Sequence, residues 1–199
     1  MTSPSLHLGA FDRSIQGWTN TDITPHLFIA HVPLLARALF VAGLMDRRRL
    51  AQHQRGVFKD VKHLNVARRF PFPDGSFQFI YSSHVLEHLH PSTAQHCLLE
   101  CKRVLVPGCV IRTAVPDLDD IVGSYNPDDP KTTLDLIFEL GSRSSKNRHW
   151  WHYNEVSLVQ VLLKSGFREA YRCEYGLSHY DCLAGIDTRP GSLIVEAVK

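Results

Sequence analysis

The sequence predicts an α/β fold, a three-layer sandwich built on a mostly parallel seven-stranded sheet. Three observations predict it. Short apolar runs alternate with helix-like stretches along the whole chain. About seven such runs read as strands, interleaved with helices. Polar and glycine residues follow the first strands at their carboxyl ends, where an open α/β sheet binds its ligand.

In chain order, Leu6-His7-Leu8 reads as a first strand running into Gly9. Trp18 to Ile23 alternates and reads as a second. A helical segment is expected over roughly 26–45, then a third strand over Asp60 to Val66. Pro71-Phe72-Pro73-Asp74-Gly75 is turn chemistry, and Phe77 to Tyr81 is a buried strand. A helix is predicted over 92–105 with Ser92 as its N-cap, stopped by Pro107-Gly108. Cys109 to Val115 is another central strand, and 117–143 reads as helix broken near Asn126 to Pro130. An amphipathic helix over Asn154 to Ser165 stops at Gly166, and Phe167 to Tyr175 and Ser192 to Val198 are the last strands.

The 199 residues suit one domain, 1–199, with an inserted helical segment at about 24–57. The composition, 44% hydrophobic and 21% charged, excludes disordered, collagen-like and coiled-coil chains. A formal charge of +2 argues against nucleic acid as the main partner. Five cysteines without a C-x-x-C pair suggest small core residues in a reducing compartment, and the expected location is cytoplasmic. No signal peptide is expected at the start. Residues 27–45 approach the length of a membrane span, but His31, Pro33 and Arg37 interrupt them. A helix of residues 34–45 is expected instead, packed over or beside the ligand cleft by an apolar face of Leu34, Leu35, Ala38, Leu39, Ala42 and Met45. That face is expected to be buried by the domain first, then by a second copy in a homodimer, then by a peripheral membrane contact through residues 26–49. Asp46 to Arg49 would cap a helix C-terminus or touch anionic lipid.

Gly9 lets the backbone approach a ligand closely, and Asp22 ends the second strand where a carboxylate can accept both hydroxyls of a ribose. Asn65 ends the third strand, and its amide can pair with an adenine edge. Ser82 to Leu89, SSHVLEHL, puts polar side chains straight after the buried strand.

Phe70 to Leu89, then Arg103-Val104-Leu105-Val106-Pro107-Gly108-Cys109, then Val115-Pro116-Asp117-Leu118, resemble the middle of class I S-adenosylmethionine-dependent methyltransferases. The opening LHLGAFDRSIQGWTNTDI and the closing run Asp187 to Ala197 resemble a small, mostly uncharacterised branch of that family. The resemblance spans nearly the whole chain except 24–57. It implies a Rossmann-like sheet whose last strand is antiparallel, and methyl transfer from S-adenosylmethionine to a small-molecule or glycan hydroxyl or amine. It implies that Gly9, Ala10 and Phe11 lie along the cofactor's methionine part, with Asp22 on the ribose, Asn65 and Val66 by the adenine, and Ser82 and Ser83 near the sulfonium. His84, His88 and His149 are the candidate general bases. Two departures stand out. Phe11 replaces a glycine of the family's loop, and only Ala10 to Gly17 separate the first two strands, so the usual crossover helix must be missing. These departures support a second reading, a methyltransferase-like protein with weak or no activity whose degenerate cofactor loop has lost efficient cofactor binding.

His84-Val85-Leu86-Glu87-His88 also matches the zinc-hydrolase pattern H-x-x-E-H, with His84 and His88 as ligands, Glu87 as base and a third ligand from Asp117, Asp119 or Asp120. The expectation remains that no metal occupies the site. Asn147 to Tyr153 joins aromatics to two histidines and reads either as a stacking surface for a ring substrate or as a wedge seating the next helix.

Overall fold

The computed structural model describes residues 4–138 and 148–199. Its seven-stranded sheet has the order β3-β2-β1-β4-β5-β7-β6. β1 (Ser5–Leu8), β2 (Thr19–Asp22), β3 (Lys62–His63), β4 (Phe77–Ser83) and β5 (Leu105–Pro116) run parallel. β7 (Ser192–Val198) is antiparallel to both β5 and β6 (Glu169–Cys173), as expected of the last strand. The strand order reverses between β1 and β4, which puts a ligand crevice at their carboxyl ends.

Strand periodicity sorts the two faces. Leu6, Leu8, Ile80, Ile111 and Val195 join Cys97, Leu98 and Cys101 of α4 (Pro91–Val104) and Leu158 and Leu162 of α7 (Glu155–Lys164) in the main core. On the opposite face Val110, Phe79 and Val198 are covered by Tyr180, Leu183 and Ile186, from the connection between β6 and β7. Arg112, fully buried on β5, pins that connection: it donates to Asp187 at 3.0 Å, to Glu196 at 2.6 Å and to the Glu174 carbonyl at 3.2 Å.

Two helix starts follow local chemistry. Asn154 and Ser157 form a reciprocal capping box at α7. At α4 the N-cap is His90 rather than Ser92: Pro91 fits the first helical position, where no N–H is needed, and the His90 ring accepts the Ser92 N–H. The predicted 117–143 helix resolves into α5 (Leu118–Gly123) and α6 (Pro130–Phe138), and residues 139–143 lie outside the described residues. The predicted third strand shortens to Lys62–His63.

The 24–57 segment differs most from expectation. It folds as three short helices, α1 (His26–His31), α2 (Leu35–Val41) and α3 (Arg47–Gln54). No residue of α2 is buried, and Leu34, Val41 and Leu44 stand 73%, 85% and 77% exposed. The expected face packed over the cleft therefore does not form. Leu34 takes a left-handed φ of 61°, which ends the helical pattern before it can become one long element. Asp46 closes no preceding helix. It caps the start of α3, accepting the Arg49 N–H at 2.7 Å. What the segment does bury is a small cluster of Leu27 and Phe58 with Ala10 and Val61, so it packs on the β1–β2 connection. Among the described residues no helix is long and apolar enough to cross a membrane.

Candidate functional site at the carboxyl ends of the parallel strands

The register sets the site. Leu8 pairs with Thr21 and with Ser82, and Asp22 pairs with His63. Gly9, Asp22 and Ser83 therefore end three neighbouring strands, with Asn65 and Val66 just past β3. Gly9 has φ 68°, and a Cβ there would lie 2.4 Å from a Val85 methyl carbon. Only glycine fits both constraints. The chain then turns straight back to β2 without a helix: the Ala10 N–H donates to the Thr21 carbonyl at 2.9 Å.

Asp22 is the staple of this turn. Its carboxylate accepts the Phe11 N–H at 3.0 Å and the Thr24 N–H at 2.7 Å, one on each oxygen. Each oxygen keeps a further lone pair for a ligand hydroxyl. The Phe11 ring, at a positive φ of 41°, packs against Phe58 and His26, with the Arg49 guanidinium 4.5 Å above it. Its bulk is thus absorbed by the 24–58 segment. Asp12, unnoticed in the sequence, completes the tie by accepting from Arg49 at 3.0 Å and Gln52 at 2.7 Å. Although burial opposes it, these two donors hold the Asp12 carboxyl below its usual range.

Asn65 turns its side-chain oxygen to the Ala67 N–H at 2.9 Å, a local turn. Ser82 is buried, and its hydroxyl meets no hydrogen-bond partner among the described residues. A cavity of about 70 Å³ lies between Gly9, Phe11, Arg13, Tyr81 and Ser83. Asp22, Asn65, Val66 and Ser82 do not line it. His7 forms part of its wall, and burial pushes the imidazole down to about 4, so the ring is neutral at physiological pH.

A larger cavity, of about 740 Å³, opens beyond β4, β5 and the start of β7. His84, Asp117, Asp120, Asp135, His149 and Arg189 line it. His84 is held through Nε2. Ser192 donates its hydroxyl to the Arg189 carbonyl at 3.0 Å, so it accepts from His84 Nε2 at 3.0 Å. His84 Nδ1 lies 2.9 Å from Glu87 Oε1. His88 Nδ1 donates to the Arg148 carbonyl at 3.3 Å, and its ring stacks edge-on with His149, centroids 4.9 Å apart.

The zinc-hydrolase arrangement read from H-x-x-E-H does not form. Residues Leu86–His88 make a single 3₁₀ turn, and His84 sits before it at a left-handed φ of 54°. The shared helix face on which two such histidines would bind one ion is missing. Asp117 is taken by the Asp119 N–H at 3.1 Å and by Arg172 at 3.2 Å. The described residues instead bring Glu87 and His88 to His149, which sequence spacing could not show. In the aromatic run, Tyr153 is the buried wedge, while Trp150 and Trp151 are half-exposed and line neither cavity. Asn147 lies outside the described residues.

Residues 40–112 match the family model described as a methyltransferase domain, just over a third of the chain. That match begins inside the 24–57 segment. Among solved structures, the chain is similar to a Thermotoga maritima S-adenosylmethionine-dependent methyltransferase described as a possible histamine N-methyltransferase. The two are 15% identical with a TM-score of 0.55, over 100% of this chain and 83% of that one. It is also similar to an S-adenosylmethionine-dependent methyltransferase of Methanosarcina mazei, at 17% identity and TM-score 0.52, over 98% and 90% of the two chains. PigF with SAH matches at 16% identity and TM-score 0.56 over 99% of this chain, which spans 50% of PigF's length. In sequence over residues 40–112 the chain is similar to a methyltransferase domain, and in fold along its whole length it is similar to solved S-adenosylmethionine-dependent methyltransferases.

Proposed function

We propose that the protein transfers a methyl group from S-adenosylmethionine to a hydroxyl or amine of a small molecule or glycan. One observation carries this reading: Gly9, Asp22 and Ser83 end three neighbouring parallel strands beside the point where strand order reverses. In this reading Gly9 to Phe11 lie along the methionine part, and the remaining Asp22 lone pairs accept the ribose hydroxyls. Asn65 and Val66 border the adenine, and Ser82 and Ser83 lie near the sulfonium. When bound, the cofactor supplies an electrophilic methyl group, and the acceptor loses a proton as the methyl arrives. The chain contributes mainly by holding the two partners in line. The 740 Å³ cavity suits a small acceptor, and its wall supplies His149, Asp120 and Asp135 to orient a hydroxyl or amine. The five free thiols support a reducing location, the cytoplasm.

Hydrogen exchange with and without S-adenosylhomocysteine tests the placement. Protection is expected over 9–13, 22–24 and 82–85. Unchanged exchange there, or protection confined to other segments, contradicts it.

A second reading, a methyltransferase-like protein with weak or no activity, is favoured by the 70 Å³ cavity at Gly9. Ligand pockets usually span about 300–1,000 Å³, so the loop from Phe11 to Arg13 must shift to admit the cofactor. Transfer of labelled methyl to a panel of hydroxyl and amine acceptors separates the two readings. No cofactor binding and no transfer favour the second.

A further inference from the structure

Glu87 is fully buried beside the core. Oε1 lies 2.9 Å from His84 Nδ1, but neither carboxylate oxygen has a hydrogen-bond partner among the described residues. A buried carboxylate without hydrogen-bond partners is costly and calls for a cation. Two imidazoles stand beside it: the ligating atoms of Glu87, His88 and His149 all lie within 4.8 Å of one another. The backbone holds this group together, because the Glu87 carbonyl accepts the Trp150 N–H at 2.7 Å and fastens the 148–153 segment to the 3₁₀ turn.

We propose that Glu87, His88 and His149 form a binding site for a divalent first-row transition ion. Two imidazoles and one carboxylate are a known donor set for zinc and iron, with positions left open for other ligands. The supporting contacts fit. His88 donates from Nδ1 to the Arg148 carbonyl, leaving Nε2 as the lone-pair nitrogen, and this is how ligating histidines are commonly oriented. His84, held by Ser192, sits on the other side of the carboxylate, its Nδ1 2.9 Å from Oε1. His149 also lines the 740 Å³ cavity, so the ion would border the space assigned above to the acceptor. The site itself does not depend on methyl transfer, and its test needs no cofactor.

The test is titration of chelator-stripped protein with zinc chloride and, separately, cobalt(II) chloride, with circular dichroism to monitor folding. One equivalent is expected to bind, with a cobalt spectrum free of thiolate charge-transfer bands. His88→Ala and His149→Ala are each expected to weaken binding by about tenfold or more. Exposed His179→Ala should leave it unchanged. Glu87→Gln should also abolish binding, and because it alters a buried group, the two histidine variants carry the test if it does not fold. Absence of binding, binding insensitive to both histidine variants, or a thiolate signature pointing to the cysteines would each overturn the proposal.

Discussion

The Asp22 carboxylate holds two backbone N–H groups, those of Phe11 and Thr24, before any ligand arrives. Read as a strand-end acid, it would matter little to the fold. The two bonds change that expectation, because hydrogen bonds to a charged group are worth about 1.5–3 kcal/mol. Asp22→Ala should therefore lower the urea midpoint as well as weaken S-adenosylhomocysteine binding by about tenfold or more. A variant with wild-type stability contradicts the staple, and one with wild-type affinity removes Asp22 from the ribose. His7 gives the second residue-scale prediction. Burial lowers its imidazole from 6.5 to about 4, so on acidification the unfolded chain takes up the proton first. Its contribution is intact above pH 6.5 and is lost as the pH falls towards 4, for a loss of about 3 kcal/mol. Urea unfolding at pH 7.5 and 4.5 should show a smaller drop for His7→Gln than for wild type. Equal drops would contradict it. The sequence displayed Gly9, Asp22 and Ser83 because strand-end position is a local signal. It hid His7, Asp12 and the Glu87–His88–His149 group, whose meaning rests on partners 13 to 62 residues away.

At the scale of elements, the β1–β2 connection and the 24–58 segment form one unit. Eight residues between the strands leave no room for a crossover helix, and that absence was legible. What covers the connection was not. Phe58, Leu27 and the Asp12–Arg49 pair do so, through contacts that no periodicity announces. The same periodicity misled at 34–45, where apolar residues at helical spacing pointed to a buried face. Leu34 in a left-handed conformation and the short α2 leave that face unburied: Leu34, Ala38 and Ala42 are exposed, and Leu35, Leu39 and Met45 are only half-buried. Phe28→Ser, Val41→Ser and Leu44→Ser should each shift stability by no more than about 0.5 kcal/mol, because 70%, 85% and 77% of those residues is already exposed. Thermal denaturation checks this. A loss of 2 kcal/mol or more at any of them, roughly the cost of a core truncation, would mean these exposed side chains are packed after all.

For the whole molecule, strand order governs function. The parallel strands and antiparallel β7 were legible because buried parallel strands read as continuous apolar runs, and the family resemblance supplied the last strand's direction. Arg112, set in the apolar run CVIRTAV, was the overlooked signal of the opposite face. A lone arginine there demands buried carboxylates, and Asp187 and Glu196 provide them from the far end of the chain. That network fixes the β6–β7 connection and with it Arg189, Gly191 and Ser192 at the wall of the larger cavity. The central claim is that the crevice between β1 and β4 takes S-adenosylmethionine, and calorimetric titration with S-adenosylhomocysteine tests it most directly. The account predicts one site per chain, weakened by about tenfold or more in Asp22→Ala. No heat of binding at millimolar ligand, or binding indifferent to Asp22, would contradict it.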